Sequence, residues 1–303
     1  MRIARTGKIS EDFYAVGHAM TPVYLLDGAS PVLFDAGYTA MTRLYLQDIK
    51  EILGRRAPEY LFITHAHFDH IGAASHFKDL WPEMQIVGSA RSQEILNRPN
   101  AIRLIRDLNQ EGLRIVRSWG VETLHEAPFE PFGLDLILSP GQALELGHGI
   151  HVKAIHTPGH TWDFMSYWVP EKKILVASEA VSCDYGDGFF IPEFLVDYDV
   201  YRRSIEMLSQ LDFQILCQGH SLVFTEQDAR EHLRNTLERS DEYVAMVEGF
   251  LRDEGADINR AVARVKAVEW DPKPAPKQPE KPYLINTQIR VKTIWERMKG
   301  KEG

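Results

Sequence analysis

The sequence predicts an α/β sandwich: two β-sheets stacked face to face, helices on their outer surfaces, and further helices at the C-terminus. Three observations carry this. Before His220, strand-type runs, a helix and more strand-type runs occur twice over. Several of those runs end in histidine or an acidic residue, which brings loops from both halves to one edge. Beyond His220 the apolar spacing becomes helical and stays so.

The elements follow in order. Pro22–Leu26 and Pro31–Phe34 read as strands separated by the turn Asp27-Gly28. The run "VLFDAG" then places Asp35 at a strand end. From Thr42 to Leu53, Leu44, Leu46, Ile49 and Leu53 give helical spacing. "YLFIT" reads as a strand, Ala73–Phe77 as the start of a helix, and "QIVGSA" as another strand. Residues 89 to 119 look helical, whereas "LDLIL", "HVKAIH", "FMSYWV" and "KILVAS" restore strands between 134 and 182. An amphipathic helix over 199–211 (Val200, Ile205, Leu208, Leu211) precedes the strand "FQILCQ". Helices are expected over 226–252 and 257–269, the second with Asp257 as N-cap. The stretch 271–282 carries five prolines and reads as an extended loop, after which "YLINTQIRVKTIWERM" forms a last helix. We therefore divide the chain into a main domain, residues 1–225, and a helical extension, 226–303, packed on it.

Composition narrows the class. Hydrophobic content of 44% and charged content of 25% are ordinary for a globular protein. A net charge of -9 argues against nucleic acid as partner, since phosphate binding needs a basic surface. The two cysteines, Cys183 and Cys217, are not in CxxC spacing and read as reduced, packed thiols. No apolar run suits a signal peptide or a membrane span, so a cytoplasmic protein with a small-molecule substrate is expected.

The chemistry is concentrated in "THAHFDH". His65, His67, Asp69 and His70 fall within six residues directly after an apolar run. On an extended segment His65 and His67 share a side, and Asp69 and His70 lie past the bend, free to face a second point. Imidazole and carboxylate in this density suit zinc, iron or manganese. His160, in "HTPGHTWD", and His220, in "QGHS", each follow a glycine at a strand exit and are candidates to complete the shells; His156 is the weaker candidate of its segment.

This pattern resembles the metallo-β-lactamase superfamily over about residues 15 to 225. The resemblance implies an αββα sandwich with a binuclear centre at the edge between the sheets. His65, His67 and His160 would hold one divalent ion, and Asp69, His70 and His220 the other, as Zn2+, Fe2+/Fe3+ or Mn2+. Asp35 would orient a ligand histidine. One position departs from the pattern: where the family has a bridging aspartate, "ILVASEAVS" offers Glu179, one methylene longer, as the bridging or second-metal ligand. Asp184, Asp187 and Asp197 nearby read as loop residues. A metal-bound hydroxide would attack the substrate, with Asp69 orienting it and accepting its proton.

Within the superfamily, which includes glyoxalase II, the segments "SARSQEILNRPNAIRLIRDLNQ" and "PEFLVDYDVYRRSIEMLSQLDFQILCQGH", with the helical tail, are most similar to quinolone-signal response thioesterases. That similarity implies hydrolysis of an ester or thioester, acyl-CoA-like or acyl-glutathione-like, in a helix-covered apolar pocket. Phe68, Phe189, Phe190, Phe194, Tyr283 and Trp295 are the aromatics expected to line it. A phosphodiesterase or sulfate-ester hydrolase would use the same ligands. A di-iron redox protein and a regulatory protein acting through a partner are the readings from other classes. The C-terminal helices are candidates for covering the pocket, for forming a homodimer interface, or for both.

Overall fold

Two seven-stranded sheets form the centre of the protein. The computed structural model describes every residue except 187, 222, 275, 276, 278, 279 and 303. The first sheet runs in the order Gly7–Lys8, Phe13–His18, Thr21–Leu26, Val32–Phe34, Tyr60–Phe62, Gln85–Gly88, Leu136–Ile137. The second runs Arg2–Ile3, Val223–Thr225, Ile215–Cys217, Ile174–Val176, Met165–Val169, His151–His156, Ala143–Glu145. The N-terminal strand thus crosses into the sheet made by the second half.

Alternation along the strands builds the layers. Tyr24, Leu26, Val32 and Phe34 point between the sheets and meet Tyr167, Val169, Ile174 and Val176 from the other side. Their neighbours Val23, Leu25 and Leu33 point outward, against helices Thr42–Leu53, Ala74–Leu80 and Pro99–Ser118. The second sheet is covered by Tyr198–Ser209, Glu226–Asp253, Ile258–Glu269 and Glu280–Glu302. The result is an αββα sandwich, as the fold class expected from the sequence requires. No helix among the described residues is long and apolar enough to cross a membrane.

Parallel pairing decides where the loops emerge. Val32–Phe34 is parallel to Tyr60–Phe62, and Ile174–Val176 is parallel to Ile215–Cys217. Parallel neighbours end at the same edge, so Asp35 and the histidine cluster leave one sheet together, as Glu179 and His220 leave the other. Three hydrogen bonds join the sheets there: Tyr24 Oη to the Gln218 carbonyl at 2.7 Å, Tyr167 Oη to the Ile63 carbonyl at 2.7 Å, and Met165 N–H to the Thr64 carbonyl at 2.8 Å.

Several local expectations change. The helical stretch 89–119 is two helices, because Pro99 cannot continue the first but suits the start of the second. The run 134–138 shrinks to Leu136–Ile137, an edge strand with one neighbour. Asp184 lies in a short ribbon, Cys183–Asp184 with Phe190–Ile191, and Asp197 caps the following helix by accepting from Val200 N–H; Asp187 lies outside the described residues. Asp257 caps its helix as expected, accepting from Arg260 N–H. The proline-rich stretch 271–282 is partly outside the described residues, but Glu280 and Pro282 already belong to the last helix, whose first turn tolerates proline. Cys183 and Cys217 are buried and unpaired.

The last helix is bolted to the main domain. Arg290, fully buried, donates to Glu269 at 2.8 Å, to Thr287 at 2.8 Å and to the Pro192 carbonyl at 3.1 Å. Thr293 Oγ1 donates to the Leu195 carbonyl at 2.9 Å. Removing one partner of a buried pair costs about 3–5 kcal/mol. Arg290→Ala is therefore expected to lower unfolding stability by roughly that amount in urea titration, whereas Arg252→Ala, in an exposed pair with Glu248, should change it by less than about 1 kcal/mol.

Candidate metal centre

His65 and His67 lie just past the strand Tyr60–Phe62, on extended chain that ends in a four-residue helix, Phe68–Ile71. His67 is extended at that helix's entry, so the two rings stay side by side, with centroids 4.4 Å apart. Asp69 and His70 fall in the helical turn, and the His70 ring returns to within 4.4 Å of the His65 ring, centroid to centroid. The loop owes its shape to two carboxylates. Asp35 accepts from Thr64 N–H at 2.8 Å, from Thr64 Oγ1 at 2.9 Å and from His70 Nδ1 at 2.9 Å. Asp163 accepts from Ala66 N–H at 2.9 Å and Ser92 Oγ at 2.8 Å. Asp35 adopts a φ of 60°, a region that asparagine and aspartate tolerate better than other side chains.

His160 sits on the loop between His151–His156 and Met165–Val169. Gly159 before it has a φ of +133°, and a Cβ there would stand 2.4 Å from Tyr201 Cα. Only glycine fits that turn. Glu179 lies in the 3-10 turn Ser178–Val181, and His220 follows Ile215–Cys217.

Outer hydrogen bonds fix which nitrogen of each ring faces inward. Thr64 Oγ1, already donating to Asp35, accepts from His65 Nδ1 at 3.0 Å. His160 Nδ1 donates to the Glu193 carbonyl at 2.5 Å, and His220 Nδ1 to the Met20 carbonyl at 2.8 Å. These bonds, with that from His70 to Asp35, leave the Nε2 lone pairs of His65, His70, His160 and His220 directed into the site. His67 turns its Nδ1 inward, 3.1 Å from His160 Nε2.

The seven residues singled out in the sequence meet in three overlapping groups: His65 with His67 and His160, His65 with His70 and Glu179, and Asp69 with His70 and His220. Within each group the ligand atoms lie within 4.8 Å of one another. Glu179 is the hub. Its Oε1 is 2.9 Å from both His70 Nε2 and His220 Nε2, and its Oε2 is 4.0 Å from His65 Nε2. None of these contacts has hydrogen-bond alignment: His65 Nε2 and Glu179 Oε1 are buried without a partner. Converging imidazole and carboxylate donor atoms are what a cation would satisfy. His156 stays outside, bonded to the Trp162 carbonyl on an exposed face.

The electrostatics divide the site. Burial, reinforced by neighbouring imidazoles, lowers His65, and it takes His160 down to about 3, so both rings are neutral and able to ligate. Burial also opposes charge on His70 and His220, but Glu179, with Asp35 and Asp69 beside His70 and Asp69 beside His220, raises both. Burial works against ionisation of Glu179 too, yet His70 and His220 hold it well below the usual carboxylate range.

A cavity of about 260 Å³ opens above the ligands. Of the six aromatics expected there, only Phe68 lines it. Phe194 packs against Tyr198 in the outer core, Phe189 and Tyr283 share a satellite cluster with Ile191, Phe190 lies under the Arg239 guanidinium, and Trp295 packs against the outer core. Helical register is the reason: Pro282, Ile285, Asn286 and Ile289 form the face turned to the cavity, and Tyr283 and Trp295 fall off it. The remaining wall includes Tyr38, Leu104, Leu108, Trp119, Tyr185 and Leu195, which the sequence did not reveal. Missed too was Glu193, buried at the cavity wall with its carboxyl pushed up to about 8 by burial.

The comparisons with known proteins agree with this geometry. The family model described as metallo-beta-lactamase superfamily matches residues 16–220, more than half of the chain. A beta-lactamase-like protein 2 homolog of Caenorhabditis elegans is 25% identical over 249 residues, covering 80% of this chain and 70% of its own. An atrochrysone carboxyl ACP thioesterase of Aspergillus fumigatus is 20% identical over 260 residues, 82% of this chain and 67% of its own. The solved structure of a metallo-beta-lactamase family protein from Thermus thermophilus superposes with a TM-score of 0.65 at 17% identity, over 97% of this chain and 95% of the other. With its sandwich and its edge cluster of histidines and carboxylates, the chain belongs to the metallo-beta-lactamase superfamily of metal-dependent hydrolases.

Proposed function

We propose that the protein hydrolyses an ester or thioester of an apolar acyl group at a two-metal centre. The observation that carries this is the wall of the cavity. Phe68, Leu104, Leu108, Trp119, Ile285 and Ile289 present carbon to the space directly above the ligands, and its lining includes no lysine or arginine among the described residues. A phosphate or sulfate ester would find no lysine or arginine beside the metal centre to hold its remaining charge. The thioesterase among the relatives supports the same class.

His65, His67 and His160 would hold one ion, and Asp69, His70 and His220 the second, with Glu179 between them. Divalent zinc, iron or manganese suits such donors, and when bound it supplies a water of lowered pKa and an electrophile for the substrate oxygen. Asp69 reaches the cavity from the short helix, 3.6 Å from His220 Nε2, where it can orient that water and accept its proton. Tyr38, edge-on to Phe68 at 5.4 Å, closes the near side against bulk water. Leu104, Ile285 and Ile289, all exposed, would receive the acyl chain at the mouth.

His67→Ala or Asp69→Ala should abolish turnover of an acyl thioester by metal-loaded protein, and turnover that survives complete metal removal would refute the assignment. Glu179→Gln is expected to lower the metal content from two equivalents toward one, measured by plasma mass spectrometry after dialysis. Gly219→Ala should do the same without replacing a ligand, because its Cβ would sit 2.1 Å from Glu179 Oε1 and displace that carboxylate. Asp35→Asn, which weakens the hold on His70, should cost about 10–100-fold in affinity for the ion that His70 binds.

A further inference from the structure

The cavity has a polar side that the metal centre leaves unused. Tyr185, Glu193 and Asn286 come from the ribbon region, the loop after it and the last helix, and all three line the same space. Glu193 is only 3% exposed. Its carbonyl takes the His160 proton, so the main chain orients that ring; its Oε2 stands 3.9 Å from the same nitrogen, too far for a hydrogen bond. Among the described residues no donor reaches the carboxyl. The nearby Arg290 gives its two Nη groups to Glu269, Thr287 and the Pro192 carbonyl, and its buried Nε makes no hydrogen bond. Burying a carboxyl without a partner is costly, and such a group calls for an explanation. The loop that carries it is also pinned on both sides, by Arg290 at Pro192 and Thr293 at Leu195. That arrangement holds the carboxyl ready for a ligand.

We propose that Glu193 is a specificity-determining residue that accepts a hydrogen bond from a hydroxyl, amino or amide N–H group of the substrate, with Tyr185 and Asn286 completing the subsite. This rests on the acyl-hydrolase reading above. Ionised or neutral, the carboxyl keeps a lone pair for that donor. A substrate without one would leave the buried oxygen unpaired, and sites of this kind discriminate strongly against such analogues.

The test uses metal-loaded protein and matched thioesters. One arm compares 3-hydroxybutanoyl with butanoyl on the same thiol, and the other compares N-acetylcysteamine with pentanethiol as leaving group. The wild-type protein should prefer the donor-bearing member of at least one pair by roughly 10-fold or more in kcat/KM. Glu193→Leu should bring that ratio to within about twofold with metal content unchanged, and the arm that responds tells whether the donor lies on the acyl or the thiol side. Glu193→Gln, which keeps size and an acceptor oxygen, should retain part of the preference and guards against misfolding of the leucine variant. Equal rates within both pairs in the wild type, or ratios unchanged by Glu193→Leu, would overturn the proposal. If no thioester is turned over, the hydrolase reading fails separately. Calorimetric titration with 3-hydroxyoctanoate and octanoate then decides the subsite: tighter binding of the hydroxy acid by wild type, lost in Glu193→Leu, supports it, and equal binding refutes it.

Discussion

Everything in the site depends on the two sheets keeping one alignment at their shared edge. Strands advance about 3.3 Å per residue. A slip of one residue would move Glu179 and His220 by most of the 4.8 Å that spans each ligand group and would turn alternate side chains to the other face. The Tyr24, Tyr167 and Met165 hydrogen bonds across the sandwich oppose such a slip, and each ends on a carbonyl within two residues of a proposed ligand. The aromatic stack of Phe34, Phe62 and Tyr167 fills the space beneath, with centroids 5.0–6.0 Å apart. Packing and polar contacts here enforce the same geometry.

Within that frame the charges are arranged for a cation. Neutral imidazoles gather around His65 and His160, Asp69 lies with His70 and His220, and Glu179 stands between the two sets. Burying so many polar atoms is unfavourable unless each is matched. The outward-facing nitrogens of His65, His70, His160 and His220 are matched by a hydroxyl, a carboxylate and two backbone carbonyls. What is left unmatched points to a common centre. The loop geometry that achieves this includes two strained or crowded positions, Asp35 and Gly159, and both sit beside a proposed ligand histidine.

The C-terminal helices belong to the same machinery. Glu280–Glu302 supplies one wall of the cavity through Ile285 and Ile289 and, through Arg290 and Thr293, holds the loop whose carbonyl orients His160. The shape of the cavity and the orientation of His160 are thus coupled through one helix. The same loop presents Glu193 to the cavity, so the segment meets His160 with its backbone and the cavity with its side chain.

The strand and helix pattern, the metal-type cluster at 65–70 and the distant histidines were legible in the sequence, because period-two and helical spacings and ligand chemistry are local properties. Glu179 was legible too, since it follows a strand in a recognisable place. The pocket was not. Whether Phe194 or Leu195, Tyr283 or Ile285, faces the cavity depends on a rotation of one residue within a turn, and composition carries no record of it. Glu193 gave no signal of its own: a single glutamate after "FFIP" acquires meaning only when Arg290 and Thr293, about a hundred positions onward, fix its loop against the metal site. The sequence by itself determined the sandwich and the donor atoms, because backbone periodicity and side-chain chemistry act at short range. The tertiary structure alone decided which donor atoms converge and which side chains line the cavity, because those follow from the packing of segments far apart in the chain.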